Sequence, residues 1–533
     1  MSDLIIHNAC IYTVDPKQPF AQALLIESGL IQKVGSNQEI LAFKNDSTKV
    51  IDAKNHLVLP GLIDSHGHLM GMGRVHSQLN LKAVKSVEEL IFMIQRKAKF
   101  MSGQQWILGR GWNDHLWENP DRLHRHLLDK VSEKYPLYLV RVDGHAAWVN
   151  SKALEMAGID KSSSDPKGGK IVKDKQGVPT GLLIDNAMKL VKSLIPDPSR
   201  EDKIKYLKLG MQECLKNGIT SFHEADTDPE MLELLDKLEQ ENELPIRVNC
   251  LLSGIDFDKF KKSYLESATT KPFLRAKSIK LYVDGALGSK GAYLTKPYQD
   301  DDYGLLLLTE EEVKNWAKKA SELGFQLCCH AIGDAANNII LNALEDELGP
   351  EVNSLRFRIE HAQLVQKSDI LRFKNSHIIA AMQPGHCTSD MLWIDDVLGH
   401  TRAKELGYLW KDFIEQEVVI SFGSDVPIEP VSPFIGIYSA VTRKNPIQKE
   451  LASFDSDQCL SREETLKCYT INGAYSSFEE SSKGSLEVGK YADLVIISEN
   501  LLECEAEKIL DAKIMLTAVG GEVKFEQEGF CGK

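Results

Sequence analysis

The sequence predicts an α/β protein: a parallel (β/α)8 barrel, a small β-sandwich formed by both termini, and an insertion after the first barrel strand. Three observations carry this expectation. Both ends of the chain read as short strands separated by turns. The middle repeats an apolar, β-branched run, a polar cluster and then a helical pattern, and one interval in that repeat is far too long.

The amino-terminal strands are expected at Leu4–Tyr12, Ala21–Glu27, Gly29–Val34 and Lys49–Asp52, with Ser28-Gly29 as a turn. The carboxyl-terminal set is Gly484–Val488, Ala492–Ile497, Met515–Val519 and, after Gly520-Gly521, Val523–Phe525. Two β-rich ends around an α/β middle put residues 1–57 and 481–533 in one sandwich and 58–480 in the barrel. Within the middle, eight strand candidates follow one another: Val58–Asp64, Ile219–His223, Ile246–Leu252, Ser278–Val283, Gln326–His330, Phe357–His361, Ile378–Met382 and Val418–Phe422. Helical patterns such as Pro229–Glu241, Glu310–Leu323 and Asp334–Leu348 separate them. Eight alternating units favour a closed barrel over a doubly wound open sheet, the competing architecture. About 150 residues lie between the first two candidates, where a barrel uses about thirty to forty. An inserted subdomain over about 75–215 is therefore expected near the barrel mouth, with strands at Trp106–Leu108, Leu137–Val142 and Lys170–Lys173.

Composition narrows the function. The formal charge of −14, from 63 basic and 77 acidic residues, is spread along the chain. That argues against nucleic acid or an anionic membrane as the partner and leaves a small-molecule substrate. Met1–Thr13 has neither the basic nor the apolar segment of a secretory signal, and no stretch is long and apolar enough to span a bilayer. Ten scattered cysteines without a CxxC pair fit reduced, buried thiols in a cytoplasmic protein rather than a thiolate metal site.

The most informative local feature is Asp64-Ser-His66-Gly-His68 at the end of the first barrel strand. Alternate residues of a strand share a face, so the two imidazoles point the same way and make half a metal site. Other polar residues fall on later strands: Lys280 on the fourth, His330 on the fifth, His361 on the sixth and Asp425 after the eighth. Any one of them alone reads as a structural residue. Their recurrence on successive strands of a barrel does not, because active sites of that fold lie where strands end.

This ordered set resembles the amidohydrolase superfamily of metal-dependent hydrolases, and within it the amidohydrolase-3 group that includes YtcJ-like proteins and N-substituted formamide deformylases. Supporting stretches are Arg110-Gly-Trp-Asn-Asp, Arg141-Val-Asp-Gly-His-Ala-Ala-Trp-Val-Asn, Pro179-Thr-Gly-Leu-Leu, Lys280-Leu-Tyr-Val-Asp-Gly-Ala-Leu-Gly-Ser and Met382-Gln-Pro-Gly-His. The resemblance implies one metal on His66 and His68, a second on His330 and His361, and a carboxylated Lys280 bridging them. A buried lysine can react as the neutral amine, and its carbamate is an anionic oxygen donor. The alternative pairs Lys280 with Asp284 or lines the pocket with it, leaving a single ion on histidines and Asp425.

Zinc is the default ion for imidazole and carboxylate ligands, with manganese, iron and nickel as alternatives. Such an ion acidifies bound water and polarises the scissile carbonyl. Asp425 is the expected base, and Asp334 and Glu360 are expected to orient imidazoles. The resemblance also puts Arg74, Trp112, His145 and His386 at the substrate, while Trp112, Trp148 and Trp393 would suit a substrate with an apolar or aromatic part. Gly285–Gly291 lacks the GK[ST] ending of a phosphate loop, and neither Ser289 nor Ser424 has a nucleophile-elbow context. The expected activity is hydrolysis of a non-peptide C–N bond, in an amide or N-formyl amide, by a chain that the resemblance allows to be a homodimer. The alternatives are a deaminase on the same barrel or an inactive scaffold.

Overall fold

The computed structural model describes residues 3–82, 84–99, 101, 105–113, 117, 123–131, 134–141, 146–260, 262, 271–299, 302–348 and 354–531. The chain divides into two units, one of Met1–Leu69 with Met211–Lys533 and one of Met70–Gly210.

The first unit contains a single sheet of eight strands: β1 Leu62–Gly67, β2 Ile219–Thr227, β3 Arg247–Ser253, β4 Leu274–Tyr282, β5 Gln326–Ala331, β6 Arg358–His361, β7 Ile379–Met382 and β8 Ile420–Phe422. Each strand pairs in parallel with its successor. The strands are almost wholly buried, as a parallel sheet covered by helices requires. Local sequence sets the helix ends. Asp228 caps Pro229–Gln240, with Pro229 at the first turn. Thr309 and Glu312 form a capping box for Glu310–Leu323, and Gly324 ends that helix in the left-handed conformation.

The expected first strand divides in two. Leu57–Pro60 pairs with Cys10–Tyr12 and Leu494–Ile497, whereas Leu62–Gly67 opens the barrel. The hinge is Gly61, where an added Cβ would lie 2.1 Å from Thr220 Oγ1, so only glycine lets the chain pass from one sheet to the other. Leu4–Tyr12 breaks in the same way at Asn8, which has φ +51°. Its halves, Leu4–His7 and Cys10–Tyr12, enter different sheets. Gly484–Val488 forms turns rather than a strand, bracketed by Gly484 and Gly489 at φ +90° and +91°.

Both chain ends build the companion domain. A four-stranded sheet runs Leu30–Gly35, Ala23–Glu27, Leu4–His7, Lys49–Asp52. A six-stranded sheet runs Glu522–Glu526, Ile514–Val519, Leu494–Ile497, Leu57–Pro60, Cys10–Tyr12, Phe20–Ala21. Ile6, Leu24 and Ile31 from the first share a core with Ile11, Leu494 and Leu516 from the second. The second unit has its own mixed sheet, Gly169–Lys173, Pro179–Asp185, Ala146–Val149, Leu137–Arg141, Ile107–Trp112, Leu79–Asn80. Among the described residues no helix is long and apolar enough to cross a membrane.

A buried ion pair ties barrel to sandwich. Arg247, at the start of β3, donates through Nε to Asp493 Oδ2 (2.7 Å) and through Nη2 to Oδ1 (3.1 Å). The guanidinium also lies over the rings of Tyr491 and Phe273, at 3.9 and 4.7 Å. Asp493→Ala would leave this guanidinium buried without its counter-charge. We expect it to lower unfolding free energy by about 3–5 kcal/mol in urea titrations; a loss under about 1 kcal/mol would show that the pair does not join the two parts.

Candidate metal centre

The seam between β8 and β1 is held by loop and side-chain bonds. Asp425 N donates to His66 O (2.7 Å) and His68 N to Val426 O (2.8 Å). Asp64 accepts from Ser424 N (3.0 Å), Ser424 Oγ (2.6 Å) and His66 N (3.2 Å). Burial raises the Asp64 carboxyl to about 6, and these donors limit the rise. The latch brings the first-strand histidines and Asp425 together. Asp425 Oδ1 lies 3.3 Å from His68 Nε2 and 3.8 Å from His66 Nε2.

The expected ligands share one cavity of about 370 Å3. His66, His68, Lys280, His330, His361 and Asp425 all line it, with Tyr282, Leu287, Ile332, His386, Trp393 and Glu429 among the other walls. Ring centroids of His66 and His361 are 4.8 Å apart, and those of His330 and His361 are 4.5 Å apart. Candidate ligand atoms of His66, His361 and Asp425 lie within 4.8 Å of one another.

Each of the four imidazoles is held through Nδ1. His66 Nδ1 is 2.5 Å from Glu360 Oε2, His68 Nδ1 3.0 Å from Ala225 O, His330 Nδ1 3.1 Å from Asp284 Oδ1, and His361 Nδ1 2.7 Å from Gln383 Oε1. An acceptor on Nδ1 selects the tautomer whose Nε2 lone pair is free, the form that binds a divalent ion. Burial and the nearby Lys280 pull His66 down to about 4. Burial, reinforced by the neighbouring His330, His66 and Lys280 side chains, holds His361 well below its ordinary value. The donor set therefore fits a divalent metal. Two candidate ligands sit on strained backbone, with His361 at φ +75° and Asp425 at φ +56°.

Lys280 is 1% exposed, and its Nζ lies 3.5 Å from His66 Nε2. Burial lowers its pKa, partly offset by Glu360 and Asp425. Asp284 is not its partner, because that carboxylate already accepts from Tyr293 N, Ile332 N, Gly333 N and His330. Burial would raise the Asp425 carboxyl, but the His68 hydrogen bond and the charges of His66 and His386 outweigh it and hold the group well below the ordinary carboxylate range.

Glu360 orients His66 as expected, whereas Asp334 touches no imidazole. It binds Thr295 N (3.0 Å), Thr295 Oγ1 and Gln366 Nε2 (2.6 Å), and so fixes a loop. The groups that orient His330 and His361 are Asp284 and Gln383. The sequence offered Asp284 only as a partner for Lys280 and did not single out Gln383, which directly follows the seventh barrel strand. His386 lines the cavity, with Nε2 3.6 Å from Asp425 Oδ2 and its ring stacked on His361. Trp393 lines it as well. Trp112 and Trp148 belong to the second unit, where they pack with Trp117; Trp112 is 1% exposed and donates Nε1 to Leu139 O (2.8 Å). Trp112 thus fills a core. Arg74 is exposed on the helix Leu69–Ser77, and His145 lies outside the described residues.

The amidohydrolase family model matches residues 49–525. This chain belongs to the amidohydrolase family. The amidohydrolase is 32% identical over 531 residues to the putative amidohydrolase YtcJ of Bacillus subtilis, covering 98% of this chain and 99% of the relative. It is 32% identical to the protein LONG AFTER FAR-RED 3 of Arabidopsis thaliana (98% and 91% covered) and 27% identical to the N-substituted formamide deformylase of Arthrobacter pascens (99% and 99%). A solved metal-dependent hydrolase of Pyrococcus furiosus superposes on the amidohydrolase with TM-score 0.76 and 28% identity, over 94% of this chain and 100% of that one. The amidohydrolase is thus a metal-dependent hydrolase of its superfamily.

Gly423 leaves no room for a side chain beside the site. An added Cβ would lie 2.5 Å from His66 N and 2.9 Å from Asp64 Oδ1. Gly423→Ala is expected to cost about 1–3 kcal/mol and to lower retention of divalent metal on dialysis, because the clash falls on the backbone of a candidate ligand. Wild-type stability and retention together would contradict the seam geometry.

Proposed function

We propose that this amidohydrolase cleaves a carbon–nitrogen bond other than a peptide bond, in a small-molecule amide or N-formyl amide. The observation that carries the reading is the meeting of four outward-tethered imidazoles and Asp425 at one cavity. A divalent metal, zinc by ligand preference, would be held by His66, His68, His330, His361 and Asp425 with Lys280, and would supply polarisation of the scissile carbonyl and acidification of water. Asp425 is the base in this reading. It takes the proton of the attacking water and returns it to the departing amine. Its backbone bond to His66 aims it.

Lys280 acts as a carbamate. Its buried neutral amine forms a bond to the carbon of carbon dioxide and releases a proton, leaving an anionic oxygen donor between the two histidine pairs. A single-ion reading is favoured by the tighter grouping of His66, His361 and Asp425, and metal stoichiometry separates the two. The N-formyl class is supported by the full-length relative named as a deformylase. Trp393, Leu287 and Ile332 on the cavity wall suit a substrate with an apolar or aromatic part.

The assay is a screen of N-formyl and N-acyl amines with amine release as the readout; no turnover of either class would refute the reading. Asp425→Asn should keep its zinc while turnover falls by about 100- to 10,000-fold, and near-normal rates would remove Asp425 as the base. Lys280→Ala should lower the zinc-to-protein ratio, with partial restoration by short carboxylic acids. An unchanged ratio would favour the single ion.

A further inference from the structure

Beneath the metal centre lies a second polar layer that the chemistry above does not use. Arg358, on β6, is fully buried in the barrel interior. Its guanidinium reaches four acceptors. Nε donates to Glu360 Oε1 (2.8 Å), and Nη2 to Glu360 Oε2 (3.0 Å) and to Ser65 O (2.9 Å). Nη1 donates to His223 Nδ1 (3.0 Å), so His223 carries its proton on Nε2. Both oxygens of Glu360 are thereby engaged, and Oε2 is the atom that also binds His66 Nδ1.

We infer that Arg358 is the positioning residue of the metal centre: its fork holds the Glu360 carboxylate in the one pose that presents Oε2 to His66 and keeps the glutamate from turning toward the cavity. The geometry supports this in three ways. A two-point fork fixes the plane of a carboxylate, which a single ammonium cannot do. The bond to Ser65 O anchors the same guanidinium to the residue preceding His66, so ligand and orienting carboxylate are registered to one group. The bond to His223 spans the barrel interior from β6 to β2 and removes the remaining freedom of the side chain.

This inference rests on the reading that His66 binds a metal, and its test separates the two. Zinc affinity of the metal-stripped full-length chain is measured by competition with a chromophoric chelator, for wild type, Arg358→Met, Glu360→Gln and the double variant. Apo-protein stability is measured alongside. Arg358→Met is expected to weaken zinc binding by about 10- to 100-fold and to shift the visible spectrum of the cobalt-loaded protein, a ligand-geometry signature that a stability loss alone would not move. Because Arg358 acts through Glu360, the double variant should bind zinc as weakly as Glu360→Gln and no weaker. Multiplying effects, or wild-type affinity in Arg358→Met, would overturn the inference. If the methionine variant does not fold, Arg358→Lys carries the same cycle, since it keeps the charge and loses the fork. Failure of the wild-type chain to bind zinc would instead overturn the metal reading itself.

Discussion

The structure depends on how its barrel closes. Seven of the eight junctions between neighbouring strands are parallel ladders, whereas β8 meets β1 through Asp64, Ser424 and the backbone bonds of His66, His68 and Asp425. The last junction is thus made by candidate metal ligands and their immediate neighbours. Gly423 permits the approach because any side chain there would strike His66 N. Closure of the barrel and the candidate site share the contacts of this seam.

The constraint propagates inward. In this low-dielectric interior His66 and His361 resist protonation, which keeps these two of the four imidazoles available to a metal. Each of the four also needs an acceptor on Nδ1 to fix its tautomer, and the four acceptors come from four different strands or strand ends: Ala225, Asp284, Glu360 and Gln383. Buried polar groups are tolerated only when bonded. That is why Asp284 takes four donors and why Glu360 is clasped by a guanidinium. The positive φ angles of His361 and Asp425 belong to the same picture, since a strained backbone persists where its surroundings over-determine it.

Much of this was legible in the residues. The strand beat gave all eight barrel strands in order, and the strand-end pattern named His66, His68, Lys280, His330, His361 and Asp425, which line one cavity. Where sequence reading failed, the cause is identifiable. Leu57–Ile63 holds no polar or charged side chain, so periodicity shows no break, yet Gly61 hands the chain from one sheet to another. Trp112 sits in a motif that resembles a substrate-facing stretch, but a large ring with a carbonyl partner for its N–H is stable inside a core. Asp334 stands four residues from His330 and faces Thr295 instead, because that distance in sequence spans the turn into a helix.

Local pattern by itself determined the fold class, the order of strands and helices, and the residue types able to bind a divalent ion, because those follow from side-chain periodicity and ligand chemistry over a few positions. Only the tertiary structure decided which carboxylate orients which imidazole, that Asp284 serves His330 rather than Lys280, and that Arg358 governs Glu360. Glu360 lies 294 residues from His66 and Asp284 lies 46 from His330, whereas Arg358 is two residues from Glu360 on one strand and its fork is visible only in the side-chain geometry. Hydrogen-bond choice among them is set by distances of a few tenths of an ångström that exist only once the barrel has closed.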